Sequence, residues 1–218
     1  MNKLDLTKLV NTIIYFCDNT NSNTLSKTKI LKLLFLSDFK HIEKYGRPIT
    51  FDEYYHLPMG PVPTLTKNFL DNMTGTKDID LGREIELFVN AFKLEPKHAF
   101  DYEYTVIKKK DSVKFNQSKF SRSEIDILKS ICKKYYNTTA RKLIEITHRH
   151  KGFKSTCENE KIDYRFGIKD INDLNYYNYW KKENDSFDIF LKDLKRKKDK
   201  KNVPCENQFN ADLASIKI

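Results

Sequence analysis

Glycine and proline are scarce, with six of each in 218 residues, and there is a single tryptophan. The glycines form neither a GxGxxG pattern nor a GKS or GKT loop, which excludes a Gly-rich turn cradling a nucleotide phosphate. Four cysteines, Cys17, Cys132, Cys157 and Cys205, include no CxxC pair. Neither a zinc ribbon nor a dithiol redox centre is therefore expected, and the thiols read as small buried hydrophobes or idle groups. No apolar run reaches the roughly 18 residues that a membrane helix needs. Met1-Asn2-Lys3-Leu4-Asp5 also has no apolar leader core, so the expectation is a cytoplasmic protein, neither exported nor anchored.

Charge and aromatic rings are what the chain has in quantity. Charged residues make up 32% and Phe, Tyr and Trp 13%, an aromatic share that excludes wholesale disorder and requires a ring-rich core. The net charge of +10 is carried mostly by residues 1–165. It fits a lysine-rich solvated surface, and it equally fits an anionic partner, whether nucleic acid or the acidic face of a protein.

Apolar spacing organises the chain into helices. Leu6, Leu9, Val10, Ile13, Ile14 and Cys17 predict a helix from about Asp5 to Asp18. Ser26 or Thr28 caps a second helix ending at Tyr45, where Gly46 can take the left-handed terminating position. Its stretch Ile30–Leu36 is apolar on nearly every side, which places it at the centre of a domain. Asp52 to His56 reads as a short helix-like piece. Leu57–Pro63, with three prolines and a glycine, reads as a stiff loop barred from helix interiors and central strands. Thr64 to Met73 is helical, and residues 84–92 fit a helix and a buried strand equally badly. Tyr102–Ile107 and Val113–Phe115, flanking Lys109-Lys110-Asp111, predict a β-hairpin. Ser121 and Glu124 form a capping box for a helix to about Tyr135, with Phe120 placed to staple onto Ile125. Thr138 or Thr139 caps the next helix. Gly167 marks a joint, and Phe187, Phe190, Leu191 and Leu194 predict a last amphipathic helix running into the basic stretch Lys192–Lys201. The fold class is mainly α (α+β): a compact multi-helix domain over 1–165 with a small hairpin, and a helical extension over 166–218.

No catalytic constellation emerges. His148 and His150 stand two apart and diverge on a helix, whereas a metal pair needs a spacing of three or four, so neither metal nor cofactor is expected. Asp52 and Glu53 are adjacent and diverge likewise. Asp38, on the apolar second helix, has no His or Lys partner in view and reads as a hydrogen-bonding element of the fold. A nucleic-acid reading has more substance. The helix pair 122–136 and 138–149 carries Arg122, Lys129, Lys133, Lys134, Arg141, Lys142 and Arg149, and the hairpin beside it adds Lys108, Lys109 and Lys110. Together they could grip phosphates as a winged helix, although the hairpin precedes the helices instead of following them.

One longer pattern remains. Lys32-Leu33-Leu34-Phe35-Leu36-Ser37-Asp38 runs on through Lys44-Tyr45-Gly46-Arg47-Pro48-Ile49-Thr50 to Tyr54-Tyr55 and Gly60-Pro61-Val62-Pro63. This run resembles the Panacea, or SocA-like, domain of bacterial and phage antitoxins, and weaker echoes carry the resemblance over roughly residues 5–165. The sequence departs from the family pattern at Phe51, where Gly is common. After Thr147-His148 a Trp is often found, and here Phe153 is its nearest counterpart. The resemblance implies a non-enzymatic antitoxin that neutralises a cognate protein toxin by direct contact. The toxins of the family include translation inhibitors such as toxic small alarmone synthetases. It also implies one alternative, an adaptor that hands the toxin to a protease; the basic helix pair and hairpin supply the other, a DNA-binding regulator, and the oligomeric state stays open.

The stiff loop suggests where such contact would occur. Prolines lower the entropy lost on docking, and Tyr and Arg are enriched at the energetic centres of interfaces. Arg47, Tyr54, Tyr55, His56, Met59 and Val62 are therefore the candidate partner-binding residues. Arg47, Tyr55 and His56 fit interface and core equally. Gly60 and Pro61 read as turn-closing residues.

Overall fold

The computed structural model describes residues 5–75, 82–99 and 102–169, together with positions 175 and 178. The expected C-terminal helix over 185–200 and its basic run lie outside the described residues. In chain order the helices are α1 (Leu6–Asn19), α2 (Lys27–Tyr45), α3 (Thr64–Met73), α4 (Ile85–Ala91), α5 (Arg122–Tyr135), α6 (Ala140–His148) and α7 (Lys151–Lys154). The strands are β1 (Tyr54–Leu57), β2 (Gly60–Pro63), β3 (Phe92–Ala99), β4 (Tyr102–Lys109) and β5 (Lys161–Ile162).

The architecture is mainly helical and built around α2. Ser26 starts α2 by accepting the Lys29 N–H, and Gly46, at φ 69°, ends it by donating to Ile42 O. Ile30, Leu33, Leu34, Phe35 and Ile42 are all fully buried, as the all-round apolarity of this segment requires. Helices α5 and α6 pack on α2, while α1 packs on α4 and α5. Asp5 caps α1 and Thr139 caps α6. At α5 both halves of the Ser121/Glu124 capping box are present. No helix among the described residues is long and apolar enough to cross a membrane.

The strands depart from the sequence expectations in three places. Residues expected to be helix-like around Asp52–His56 instead form β1, because aromatic Tyr54 and Tyr55 suit a pleated surface and Asp52 is drawn into another contact, described below. The Leu57–Pro63 loop is the turn and return strand of a hairpin, Tyr54 opposite Pro63 and Leu57 opposite Gly60. The bar on central strands nevertheless holds. In the sheet order β2-β1-β5 the proline-bearing β2 is an edge, where missing N–H groups leave no gap in a ladder.

The third correction concerns the other hairpin. Strand β4 pairs with the upstream β3, Phe92 opposite Lys109 through Ala99 opposite Tyr102, and not with Val113–Phe115. The opposite edge of β4 is occupied by the entry to α2, since Ile107 N donates to Leu25 O at 2.9 Å and Ser26 bridges Val106. Val106 and Ile107 are consequently both buried, which blurs the alternation that a one-sided strand shows. The ambiguous 84–92 segment is mostly helix, with α4 passing directly into β3 at Phe92. Gly167 is no joint. A Cβ there would lie 2.9 Å from the Ile42 side chain, so the glycine lets the chain close tightly on α2.

Candidate functional site

The segment after α2 is folded around one buried carboxylate. Asp38 Oδ1 accepts N–H bonds from Ile49 (2.8 Å) and Thr50 (2.9 Å), and Oδ2 accepts the Thr50 hydroxyl and the Tyr54 hydroxyl (2.7 Å). Tyr164, from the far end of the described chain, adds its hydroxyl to Oδ2 at 3.3 Å and donates to Asp52 O at 2.6 Å. Burial pushes the Asp38 carboxyl up against the pull of these donors, and it pushes the Tyr54 and Tyr164 hydroxyls well above the ordinary tyrosine value. The Tyr-Gly-Arg-Pro-Ile-Thr turn thus exists to satisfy Asp38, as the position of a lone carboxylate on an apolar helix suggested.

Asp52 does the same for α3. The cap residue of that helix, Pro63, offers no side-chain acceptor. In its place Asp52 accepts from Leu65 N (3.3 Å), Thr66 N (3.0 Å) and Thr66 Oγ1 (2.6 Å), capping the helix from eleven residues upstream of Pro63. Burial raises its carboxyl to about 7. Phe51 lies between the two carboxylates' segments with φ 61°, a left-handed conformation that glycine adopts freely and Phe does not. The position where the sequence departs from the antitoxin pattern is therefore one where the backbone favours Gly.

Three cations fix the remaining pieces. Arg47 Nη2 reaches Glu124 Oε1 at 3.2 Å, and Lys8 reaches the same oxygen at 2.7 Å, while Glu124, 1% exposed, also accepts Ser121 N. Arg47 O meets His41 Nδ1 at 2.7 Å, and His41 Nε2 meets Ser123 Oγ at 3.1 Å. Burial first of all drives His41 down to about 4, so the ring is neutral. The buried Lys32 ammonium donates to Pro61 O at 2.8 Å, seating β2 on α2, and burial lowers it to about 7. Gly60, at φ 95°, lets β2 approach α6: a Cβ there would meet His148 Cδ2 at 3.0 Å. His148 stacks on Phe153 at 4.4 Å, and Phe153 also stacks on His56 at 3.6 Å.

This geometry sorts the sequence-predicted residues. Tyr54 (1% exposed) and Val62 (4%) belong to the core, the first to serve Asp38 and the second packed under the hairpin, so neither offers a contact surface. Arg47 is spent on Glu124, and Tyr55 and His56 are half-buried in the sheet. Met59, 43% exposed at the hairpin turn, is the member of the set presented to solvent. The winged-helix arrangement is not formed. The β3–β4 ribbon packs beside α1, α4 and the turn at Ser22–Thr24, while α5 and α6 lie on α2. Lys108 is paired with Glu95 at 2.6 Å and Lys109 with Asp18 at 3.2 Å; Lys110 is half-buried where the chain leaves the ribbon. Lys133 and Arg141 are exposed, and Lys134 lies 5.2 Å over the Tyr135 ring. His148 and His150 go to different neighbours, His150 against Phe35 and Phe39. No group of His, Cys, Asp and Glu among the described residues could hold a metal ion.

Sequence reasoning missed Lys29, Lys32 and Tyr164 as organising residues, and saw Glu124 only as half of a capping box. The signal for the lysines was available, since Lys29 and Lys32 are charges within a segment too apolar to be exposed. Tyr164 sits in a stretch without periodicity and carried none.

Compared with known families, the chain matches the model for the antitoxin SocA-like, Panacea domain over residues 30–153, which is α2 through α7. No curated protein and no solved structure matches it.

Proposed function

The chain belongs to the SocA-like antitoxin family defined by the Panacea domain, and from that premise we propose that it neutralises a cognate protein toxin by binding it directly, without turnover. The family match carries this reading. The site geometry supports it in kind. Three candidate acids or bases are committed to holding the frame: Asp38 to the turn, Asp52 to α3, and His41 to Arg47 and Ser123. A frame fixed by buried polar contacts suits a binding protein, because a surface held rigid before docking loses less entropy on association. In this reading the toxin acts on translation, and a toxin-sized reading frame adjacent to this one is the candidate to test. Co-expression tests the reading. This protein should restore growth to cells producing the toxin, and the two should copurify as one complex. Toxicity that persists with both proteins soluble and abundant would overturn it.

A further inference from the structure

The cations of this protein fall into two populations. Over most of the described surface they are paired: Lys8 with Glu124, Lys27 and Lys67 with Asp71, Lys93 with Asp111, Lys108 with Glu95 and Lys109 with Asp18. On α5, α6 and the start of α7 the pattern reverses for all but a few, Lys142 meeting Glu145 at 2.7 Å. Arg122, Lys129, Lys133, Arg141, Arg149 and Lys151 are exposed, and none has an ion pair among the described residues. Spacings of four, three and four bring Arg122, Asp126, Lys129 and Lys133 onto one stripe of α5, and Arg141, Glu145 and Arg149 onto one stripe of α6. A lysine-rich composition alone would leave cations unpaired everywhere. Here, off these helices, Lys44 and Lys114 are the exposed cations without an ion pair among the described residues.

Between the two helices stands Tyr136, 48% exposed. Its main chain is held with unusual firmness. Tyr136 O accepts from Lys29 Nζ (2.9 Å) and from Asn21 N (3.3 Å), and the Asn21 side chain bonds the neighbouring Asn137 at 2.9 Å. Lys29 is fully buried, and burial lowers its ammonium to about 8. Placing a lysine ammonium in the interior costs free energy that this contact must offset. The result is an exposed aromatic ring on a fixed backbone, flanked by Arg and Lys. Interfaces concentrate binding energy on that combination, an aromatic anchor with a charged surround.

We propose that the outer faces of α5 and α6, joined through Tyr136, are the docking surface for the toxin, and that the toxin presents an acidic face to it. The inference rests on the antitoxin reading for the identity of the partner. Protein fits better than nucleic acid for two reasons. Asp126 stands inside the basic stripe of α5, where it would oppose a phosphate but can meet a cation of a mixed-charge protein face, and Glu145, paired with Lys142 at 2.7 Å, puts a second carboxylate into the stripe of α6. Both helices also lie along α2, so neither projects as a helix that enters a groove.

The test uses the full chain and the purified product of the neighbouring reading frame, with duplex DNA and unfractionated tRNA as polyanion controls. The variants are Tyr136→Ala and the double exchange Lys133→Glu with Arg141→Glu, all at exposed positions. Each should weaken toxin binding by about tenfold or more and reduce growth rescue, with thermal unfolding unchanged. Neutral Gln at 133 and 141 should give an intermediate loss. Raising salt should weaken the wild type more than the double variant. Wild-type affinity in both variants, with rescue intact, would overturn the surface while leaving the antitoxin reading standing. Loss of DNA or tRNA binding at physiological salt with toxin affinity unchanged would assign the face to nucleic acid. A wild-type protein that binds no toxin would remove the antitoxin reading and this inference with it.

Discussion

Removing the Asp38 carboxylate should cost more than any other single polar change in the described core. In Asp38→Ala, the N–H groups of Ile49 and Thr50 and the hydroxyls of Thr50 and Tyr54 lose their acceptor in a site closed to water. A buried donor left unsatisfied costs about 1–3 kcal/mol, and relaxation of the turn would recover part of that for four donors. A loss of about 4–5 kcal/mol is expected, a large share of the roughly 5–15 kcal/mol that holds a domain together. Asp38→Asn keeps the shape and one acceptor oxygen, enough for the two N–H groups that share Oδ1, while hydroxyls can reorient toward the new amide. It should cost about 1–2 kcal/mol. Tyr54→Phe removes a single donor and should cost about 1 kcal/mol. Urea unfolding followed by circular dichroism measures all three, with the slope expected to stay constant across the series. If Asp38→Ala loses less than about 1 kcal/mol, or if Asn and Ala are equally damaging, the carboxylate does not organise the turn.

Arg47→Ala should lower stability by about 1–2 kcal/mol, because Glu124 keeps Lys8 as a partner, and should leave toxin affinity of the folded protein unchanged; calorimetric titration beside urea melts separates the two. At position 51 the backbone, not the ring, should decide between small residues: Phe51→Gly should be more stable than Phe51→Ala by about 1 kcal/mol, and the reverse order in thermal melts would refute strain at φ 61°. Asp52 has a folded value raised to about 7, so the folded state holds its proton longer than the unfolded chain, and this group's contribution falls as pH rises from about 4 to about 7. His41, lowered to about 4, acts in the opposite sense over much of the same range, so urea midpoints of Asp52→Asn against wild type isolate the carboxyl. Lys32 is lowered to about 7 from 10.5, so stability should rise with pH between those values, and Lys32→Met should flatten that rise.

What the sequence made legible was local. The Ser121/Glu124 box, the Ser26 and Thr139 caps, Gly46 as terminator and the bounds of α3 each depend on neighbours within a turn or two, and periodicity reports those directly. Asp38 was legible too, since a carboxylate on an all-apolar helix has to find donors. Strand pairing was not. β3 alternates Phe92 and Leu94 with Lys93, Glu95 and Lys97, but Pro96 in its middle argues against a strand and hides it as the partner of β4. Tyr54 read as a surface aromatic because it adjoins a proline-rich stretch, but its burial is decided by Asp38, sixteen residues earlier, and by Tyr164 at the other end. The basic residues of α5 and α6 were visible in the sequence as a helix pair rich in Lys and Arg. That most of them lack carboxylate partners, while most exposed cations elsewhere among the described residues have them, is a property of the folded surface.

Titration of toxin activity with purified protein tests the central claim most directly. If neutralisation is by contact, inhibition should grow linearly with added protein and saturate at a fixed molar ratio, and the toxin should regain activity when the complex is dissociated. Complete loss of toxin activity from a small fraction of an equivalent, progressing with time and persisting after separation, would mean turnover, and the account of this protein as a binding antitoxin would be wrong.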